Sequence, residues 1–143
     1  MTVGRLCTRE VFFARPEETV EEAARRMLDN NVGSLVVIDE ETRPVGIVTD
    51  RDLAVRVVAR DLVAQKTHVE DVMTRQPETV PESLTLEMAL ERMRGGRRRR
   101  LIVVDEEGRL EGLLTMDDML ALLVEEFESI GGLIGRQQPN RPR

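Results

Sequence analysis

Apolar residues recur at every third or fourth position in two segments of the chain, and this spacing predicts two amphipathic helices that face a core. The first helix begins in "TVEEAARRMLDN", where Thr19 is a natural N-cap and Glu22 can complete a capping box. Thr85 occupies the same place before the second helix. The apolar stripes are Val20, Ala23, Ala24 and Met27 in the first helix, and Leu86, Ala89, Leu90 and Met93 in the second.

Each predicted helix is followed by two apolar runs and a further helical pattern. The runs "SLVVID" and "RLIVVD" are continuously aliphatic, as strands that are buried on both faces are. A charged turn leads to "PVGIVT" or "LEGLLT", and then to the helical patterns "DRDLAVRVVAR" or "MDDMLALLVEEF". Because each unit starts with an entry segment that we expect to be extended, at residues 3–16 and 69–82, the predicted order is β-α-β-β-α. The sequence therefore predicts an α/β fold.

The two units are copies of one pattern. Displacing the chain by 66 positions aligns residues 3–60 with residues 69–126 without a gap. Two copies predict a pseudo-symmetric pair, since a stacked array needs about three or more repeats. We expect the first repeat and its linker at residues 1–66, the second repeat at 67–128, and a flexible tail at 129–143. Identical pairs include Thr8/Thr74, Met27/Met93, Asp39/Asp105, Gly46/Gly112, Thr49/Thr115 and Asp52/Asp118.

The composition limits the classes of function. The 143 residues have a net charge of -6, which argues against general nucleic-acid binding because that function needs a positive field. The N-terminus has no signal-peptide pattern, and no stretch approaches the roughly 20 apolar residues of a membrane span. The single cysteine, Cys7, has no partner for an internal disulfide. The sequence thus predicts a cytoplasmic protein that does not bind membranes.

The phrases "GIVTDRD" and "GLLTMDD" end the second strand of each unit and begin its last helix. One interpretation is structural, because a Thr N-cap with an acidic residue three positions later stabilises a helix start by roughly 0.5–2 kcal/mol. The other is a ligand site, since free amides at a helix start suit a phosphate and the carboxylate can accept hydrogen bonds from a ribose diol. In that interpretation Gly46 and Gly112 keep strand and ligand close.

The pattern Gly-aliphatic-aliphatic-Thr-x-x-Asp, preceded by an aliphatic strand that ends in Asp, resembles the cystathionine-β-synthase (CBS) domain. The segment "DVMTRQPETV" resembles the entry segment of that family, and the resemblance extends over residues 3–126. It implies a stand-alone module of two CBS repeats packed through their sheets. It also implies an adenosyl ligand (AMP, ADP, ATP or S-adenosylmethionine) between the repeats, no metal or catalysis, a homodimer and a regulated effector protein.

The resemblance also implies ligand contacts for individual residues. For the ribose and α-phosphate these are Thr49 and Asp52, with Arg51 nearby, and Thr115 and Asp118; for the base they are Ile47, Val32 and Val11 or Phe12, and Leu113; for further phosphates they are Arg99 and Arg100. In the second half, Arg98 and Pro77 or Glu78 occupy the base-pocket positions, and a charge there is unfavourable unless it is paired. We therefore expect the better site in the first half, where Thr49 and the apolar residues belong to one repeat.

Other functions stay open at this stage. The chain is alternatively a constitutive interaction or scaffold module without a small-molecule ligand. An enzyme is the weakest hypothesis, because no nucleophile has a base beside it, and His68 has no partner that indicates a metal site. The basic run "RMRGGRRRR" is a solvated loop, a phosphate contact or, least favoured, an RNA contact. The apolar face of "MLALLVEEFESIGGLI" is a candidate dimer seam.

Overall fold

A computed structural model of the chain describes residues 1–96 and 98–136. Within them, each repeat opens with a helical turn and then follows the predicted order of strand, helix, two strands and helix, so the α/β class is confirmed. The helices are α1 Val3–Leu6, α2 Val20–Asn30, α3 Asp50–Asp52, α4 Val69–Val72, α5 Leu86–Gly96 and α6 Met116–Arg136; a π-helical segment, Leu53–Val58, continues α3. The strands are β1 Phe13–Ala14, β2 Ser34–Ile38, β3 Pro44–Thr49, β4 Thr74–Arg75, β5 Thr79–Pro81, β6 Arg100–Val104 and β7 Leu110–Thr115.

These strands form two sheets, in the orders β1-β2-β3-β4 and β5-β6-β7. In each sheet the first strand is parallel to the second, and the second is antiparallel to the third. The registers correspond as well, because Phe13 lies opposite Val36 in one sheet and Thr79 lies opposite Ile102 in the other. The sequence repeat is therefore also a repeat of hydrogen-bond register.

The segments that open the two repeats are exchanged between them. β4 belongs to the second repeat in sequence, yet it pairs with β3 of the first, where Thr74 lies opposite Ile47. In the reverse direction Thr8 pairs with Leu113 of β7, through backbone N–O distances of 2.9 and 3.0 Å. Residues 1–9 and 67–75 are called the exchanged segments below. Each of them extends the sheet of the other repeat.

The exchanged segments also complete the two cores. Val3 and Cys7 are buried in the core of the second repeat, and Val69 and Met73 are buried in the core of the first. The predicted extended conformation is wrong for Val3–Leu6 and Val69–Val72, which form single helical turns. One turn directs residues i and i+4, such as Val3 and Cys7, at the same core. The boundary predicted after residue 66 therefore does not separate two packing units.

Gly112 and Gly46 lie where the exchanged segments cross the strands. A Cβ atom on Gly112 would lie 2.7 Å from Cys7 Sγ and 3.0 Å from the carbonyl oxygen of Thr8. A Cβ atom on Gly46 would meet Met73 Sδ and would lie 3.0 Å from the carbonyl oxygen of Thr74. The glycines therefore admit a sulfur-bearing side chain and a neighbouring backbone, whereas the sequence analysis assigned their space to a ligand.

A third apolar cluster joins the two sheets. Val36 and Ile38 of β2 and Ile102 of β6 are at most 2% exposed, and Val11 and Leu113 pack against them. The predicted packing of the repeats through their sheets is thereby confirmed. Side chains of both repeats consequently meet along the edges of this cluster.

The helix ends show where local signals succeeded and where they failed. The capping box predicted for α2 is present, with Glu22 N–H donating to Thr19 Oγ1 at 3.2 Å and Thr19 N–H donating to Glu22 Oε2 at 3.0 Å. The tail that we expected from residue 129 is instead helical as far as Arg136, and residues 137–143 lie outside the described residues. None of the described helices is long and apolar enough to cross a membrane.

Candidate functional site

Both Thr-x-x-Asp phrases form capping boxes. Asp52 N–H donates to Thr49 Oγ1 at 3.1 Å, and Thr49 N–H donates to Asp52 Oδ2 at 2.9 Å. In the second copy, both the Asp118 N–H to Thr115 Oγ1 distance and the Thr115 N–H to Asp118 Oδ2 distance are 3.1 Å. The structural interpretation of the phrases is therefore correct for both copies. It uses one carboxylate oxygen of each aspartate.

The two aspartates differ in what faces the other oxygen. Asp52 Oδ1 lies 3.8 Å from the guanidinium Nε of Arg56, which follows one helical turn later. Asp118 Oδ1 has no hydrogen-bond or ion-pair partner among the described residues. Asp118 can thus serve its helix and still accept hydrogen bonds from a ligand.

The larger of two clefts between the repeats is called the apolar cleft below. Its volume is about 380 Å³. One wall consists of Val11, Phe12 and Val32 from the first repeat, and the opposite wall is Leu113, Thr115 and Asp118 from the second. Thr8, Glu10, Gly33, Ser34, Val36 and Arg100 complete the lining. An apolar slot thus faces a hydroxyl and a carboxylate.

The smaller cleft, called the arginine cleft below, has a volume of about 240 Å³. Ile47 and Thr49 line it from the first repeat, and Pro77 and Glu78 line it from the second. Thr74, Arg98, Arg99, Arg100 and Ile102 complete the lining. Nearly every residue of this list is 66 positions from a residue of the apolar cleft, so the two clefts are pseudo-symmetric copies.

The structure corrects the predicted grouping of site residues. The sequence analysis combined Val11, Phe12 and Val32 with Thr49 of their own repeat, whereas these apolar residues line the cleft of Thr115 and Asp118. Ile47 and Thr49 instead face the second repeat, with its Pro77, Glu78 and Arg98. The described residues that line the arginine cleft do not include Arg51 or Asp52, and Arg51 is exposed.

The charged wall of the arginine cleft is paired. Glu78 Oε2 lies 3.7 Å from Arg98 Nε, and Glu78 Oε1 lies 3.6 Å from Arg92 Nη1. This pairing meets the condition under which a charge is tolerated at a base-pocket position, but it leaves ionic groups where an apolar slot would be needed. The arginine cleft is therefore chemically different from its copy.

Arg99 and Arg100 lie where the sequence analysis expected phosphate contacts. Both line the arginine cleft, and both also line a third pocket beside Thr115, Met116 and Asp117 at the start of α6. Arg100 additionally lines the apolar cleft. Sequence analysis missed Thr8, Thr74 and Glu10 as cleft residues, although the identity of Thr8 and Thr74 in the repeat was a usable signal.

The remaining candidate groups do not form a reactive site. Cys7 is buried, and desolvation by burial raises the pKa of its thiol. His68 is exposed before α4, where its Nδ1 lies 3.8 Å from Asp71 Oδ2. Within residues 1–96 and 98–136, no three His, Cys, Asp or Glu side chains are grouped as a metal site requires.

Comparison with known proteins agrees with this architecture. The model of the CBS domain matches residues 3–59 and 69–125. An uncharacterised protein of Methanopyrus kandleri is 35% identical over 120 residues, which are 84% of this chain and 61% of that protein. The chain therefore spans less than two thirds of the length of this relative.

Two solved structures have the same fold and contain adenosyl compounds. The CBS domain pair of protein MJ0100, in complex with 5′-methylthioadenosine and S-adenosyl-L-methionine, superposes with a TM-score of 0.78 at 25% identity, over 88% of this chain and 98% of that one. CBSX2 of Arabidopsis thaliana, in complex with AMP, has a TM-score of 0.75 at 29% identity, over 87% and 96% of the two chains. The repeat, the fold and these matches together show that the chain belongs to the CBS-domain family and carries two CBS domains in tandem.

Proposed function

We propose that the chain is a regulatory module, not an enzyme, which senses an adenosyl ligand bound in the apolar cleft. The observation that carries the proposal is the meeting of an apolar wall from one repeat with Thr115 and Asp118 from the other. Related CBS pairs in complex with AMP, or with S-adenosyl-L-methionine and 5′-methylthioadenosine, support the ligand class. The volume of about 380 Å³ supports it too, because small-molecule pockets span about 300–1,000 Å³.

In this proposal each part of the ligand has a matching surface. The adenine ring packs among Val11, Phe12, Val32 and Leu113, which offer apolar contact on two sides. The ribose hydroxyls donate to Asp118 Oδ1, which the capping box leaves available. A phosphate, where the ligand has one, extends towards the Arg100 guanidinium.

The proposal reverses the preference that the sequence suggested. The site built on Thr49, Asp52, Ile47 and Arg51 lacks an apolar base wall, since Arg98 and Glu78 stand in its place. An ionic pair does not solvate a purine ring, and separating the pair would leave a charge unpaired. The site built on Thr115, Asp118 and Leu113 is therefore the stronger candidate.

The sensing step follows from the composite cleft. Val11, Phe12 and Val32 lie in one repeat and Leu113 and Asp118 in the other, so a bound ligand contacts both. A ligand shifts the arrangement of the repeats only by the difference between its affinities for the two arrangements. A cytoplasmic effector protein would read that shift. A buried free thiol at Cys7 is compatible with this reducing compartment.

We also propose that the chain acts as a homodimer. Helix α6 carries Leu120, Leu123, Phe127, Ile130 and Ile134 at heptad spacing, and each of these side chains is at least half exposed. A repeat of this kind packs against a second helix when one is present. Light scattering after size exclusion should give twice the mass of 16.2 kDa. A monomer mass at micromolar concentration would contradict the pairing.

Calorimetry with matched variants tests the ligand site. AMP, ATP, S-adenosylmethionine and 5′-methylthioadenosine are titrated into the wild-type chain and into Asp118→Asn and Asp52→Asn. Both variants retain an oxygen that can accept from the Thr N–H of a capping box, so they perturb their helices equally. Only Asp118→Asn removes the carboxylate of the apolar cleft. We expect it to weaken binding about 10- to 100-fold, as the loss of hydrogen bonds to a charged group does.

The outcome separates the competing interpretations. Equal losses in the two variants would mean that the aspartates only cap helices. Absence of binding to all four compounds would favour the alternative, a constitutive interaction or scaffold module. Conversion of ATP to a product in the same cell would contradict the non-enzymatic role.

A further inference from the structure

The two clefts carry opposite charge. The arginine cleft is lined by Arg98, Arg99 and Arg100 against the single carboxylate of Glu78. Three positive groups and one negative group give this lining a formal charge of +2. The ionic pair of Glu78 with Arg98 leaves the other two guanidinium groups in excess. Such a surface attracts anions.

The apolar cleft has the reverse balance. Its lining includes the carboxylates of Glu10 and Asp118, and among the described residues Arg100 is its single cation. One positive group and two negative groups give a formal charge of -1. Without Arg100 the lining would carry -2. The position of this one guanidinium therefore decides whether a phosphate is tolerated in the apolar cleft.

Arg100 is shared by both clefts and is free to choose between them. It lines the arginine cleft, the apolar cleft and the third pocket beside Thr115. It is exposed, and in the described part of the chain it forms no ion pair, whereas Arg98 is held by Glu78. The residue at the matching position of the first repeat is Ser34, which is too short to bridge two clefts. The sharing is thus a property of the second repeat alone.

The arginine cleft is suited to a different class of ligand from its copy. Its volume of about 240 Å³ is below the range of about 300–1,000 Å³ for small-molecule pockets. The ionic wall of Glu78 and Arg98 opposes a purine ring, while two unpaired guanidinium groups can hold phosphate oxygens in bidentate geometry. A compact phosphate anion without a base meets both conditions.

We infer that the arginine cleft binds a compact phosphate anion and thereby controls which adenosyl ligand enters the apolar cleft. An anion in the arginine cleft draws Arg100 towards it, and the apolar cleft loses its cation. Phosphorylated ligands such as AMP are then disfavoured there, whereas unphosphorylated 5′-methylthioadenosine is unaffected. The inference rests on the proposed function, because it needs an adenosyl ligand in the apolar cleft.

Calorimetry with pyrophosphate as the probe tests this coupling. AMP and 5′-methylthioadenosine are each titrated into the wild-type chain at increasing pyrophosphate, with ionic strength held constant by sodium chloride. We expect the Kd of AMP to rise about tenfold and then reach a plateau, which is a typical size for coupling between sites. The Kd of 5′-methylthioadenosine should stay constant.

Three variants locate the effect. Arg100→Ser copies the residue of the first repeat and should weaken AMP binding while removing its dependence on pyrophosphate. Arg99→Ser alters the arginine cleft but not the lining of the apolar cleft, so more pyrophosphate should be needed for the same effect. Arg60→Ser removes an equal charge from an exposed turn and should behave as the wild type.

Several outcomes would overturn the inference. An AMP affinity that ignores pyrophosphate would do so, as would equal weakening of AMP and 5′-methylthioadenosine. A Kd that rises without a plateau would mean that pyrophosphate simply competes in the apolar cleft. Absence of binding by both adenosyl compounds would instead contradict the proposed function, so the two failures are distinguishable.

Discussion

The substitution Val3→Ala tests the exchange of segments on which both clefts depend. Val3 belongs to the first repeat in sequence, but its side chain is 0% exposed in the core of the second. Val69 is its counterpart 66 positions later, equally buried in the core of the first repeat. The two substitutions are therefore matched in chemistry and burial, and opposite in location.

The magnitude follows from the groups removed. Val→Ala deletes two methyl groups, and each buried carbon contributes about 0.8 kcal/mol. The cavity that remains adds to this loss, so the free energy of unfolding should fall by about 2–3 kcal/mol. Since every 1.4 kcal/mol is a factor of ten, local opening near the cavity should become roughly 30- to 150-fold more frequent.

Hydrogen exchange under native conditions is the assay, because it reports the opening of each element separately. Val3→Ala should accelerate exchange most in β6 and β7, and Val69→Ala should accelerate it most in β2 and β3. Urea unfolding of both variants supplies the global loss of stability. Faster exchange in β2 than in β6 for Val3→Ala would refute the reasoning, since Val3 would then support its own repeat.

Two further predictions concern packing and charge. Gly112→Ala should lower the free energy of unfolding by about 1–3 kcal/mol in urea, because the new methyl group would lie 2.7 Å from Cys7 Sγ; Gly95→Ala, which meets nothing within 4 Å, is the control and should cost nothing. The backbone N–H of Arg109 lowers the pKa of Asp105, so this carboxylate stabilises the fold above its ordinary pKa of about 4 and ceases to do so as the pH falls through its lowered value. The urea midpoints of wild type and Asp105→Asn should therefore differ at pH 7 and converge in acid, and a constant difference would contradict this.

The elements were predictable because their signals are local. The stripe from Val20 to Met27 and the capping box of Thr19 depend on spacing within one helix, and both appear in the structure. The aliphatic runs after Gly33 and Arg99 likewise became β2 and β6. The end of α6 was misjudged because three glycines and the residues after them read as a tail, whereas the helix continues as far as Arg136.

The exchange and the composition of the clefts were not predictable, for a physical reason. The repeat gives Thr8 and Thr74 equivalent surroundings, so Thr8 has two nearly identical partners, Ile47 in its own repeat and Leu113 in the other. Local sequence does not distinguish the two pairings. The choice depends on chain geometry, and it decides whether Val32 faces Thr49 or Thr115.

A crystal structure of the chain grown with AMP tests the central claim most directly. The account predicts adenine density between the Phe12 and Val32 wall and Leu113, with the ribose hydroxyls within hydrogen-bond distance of Asp118. Adenine density in the arginine cleft against Pro77 and Arg98, with none in the apolar cleft, would contradict it.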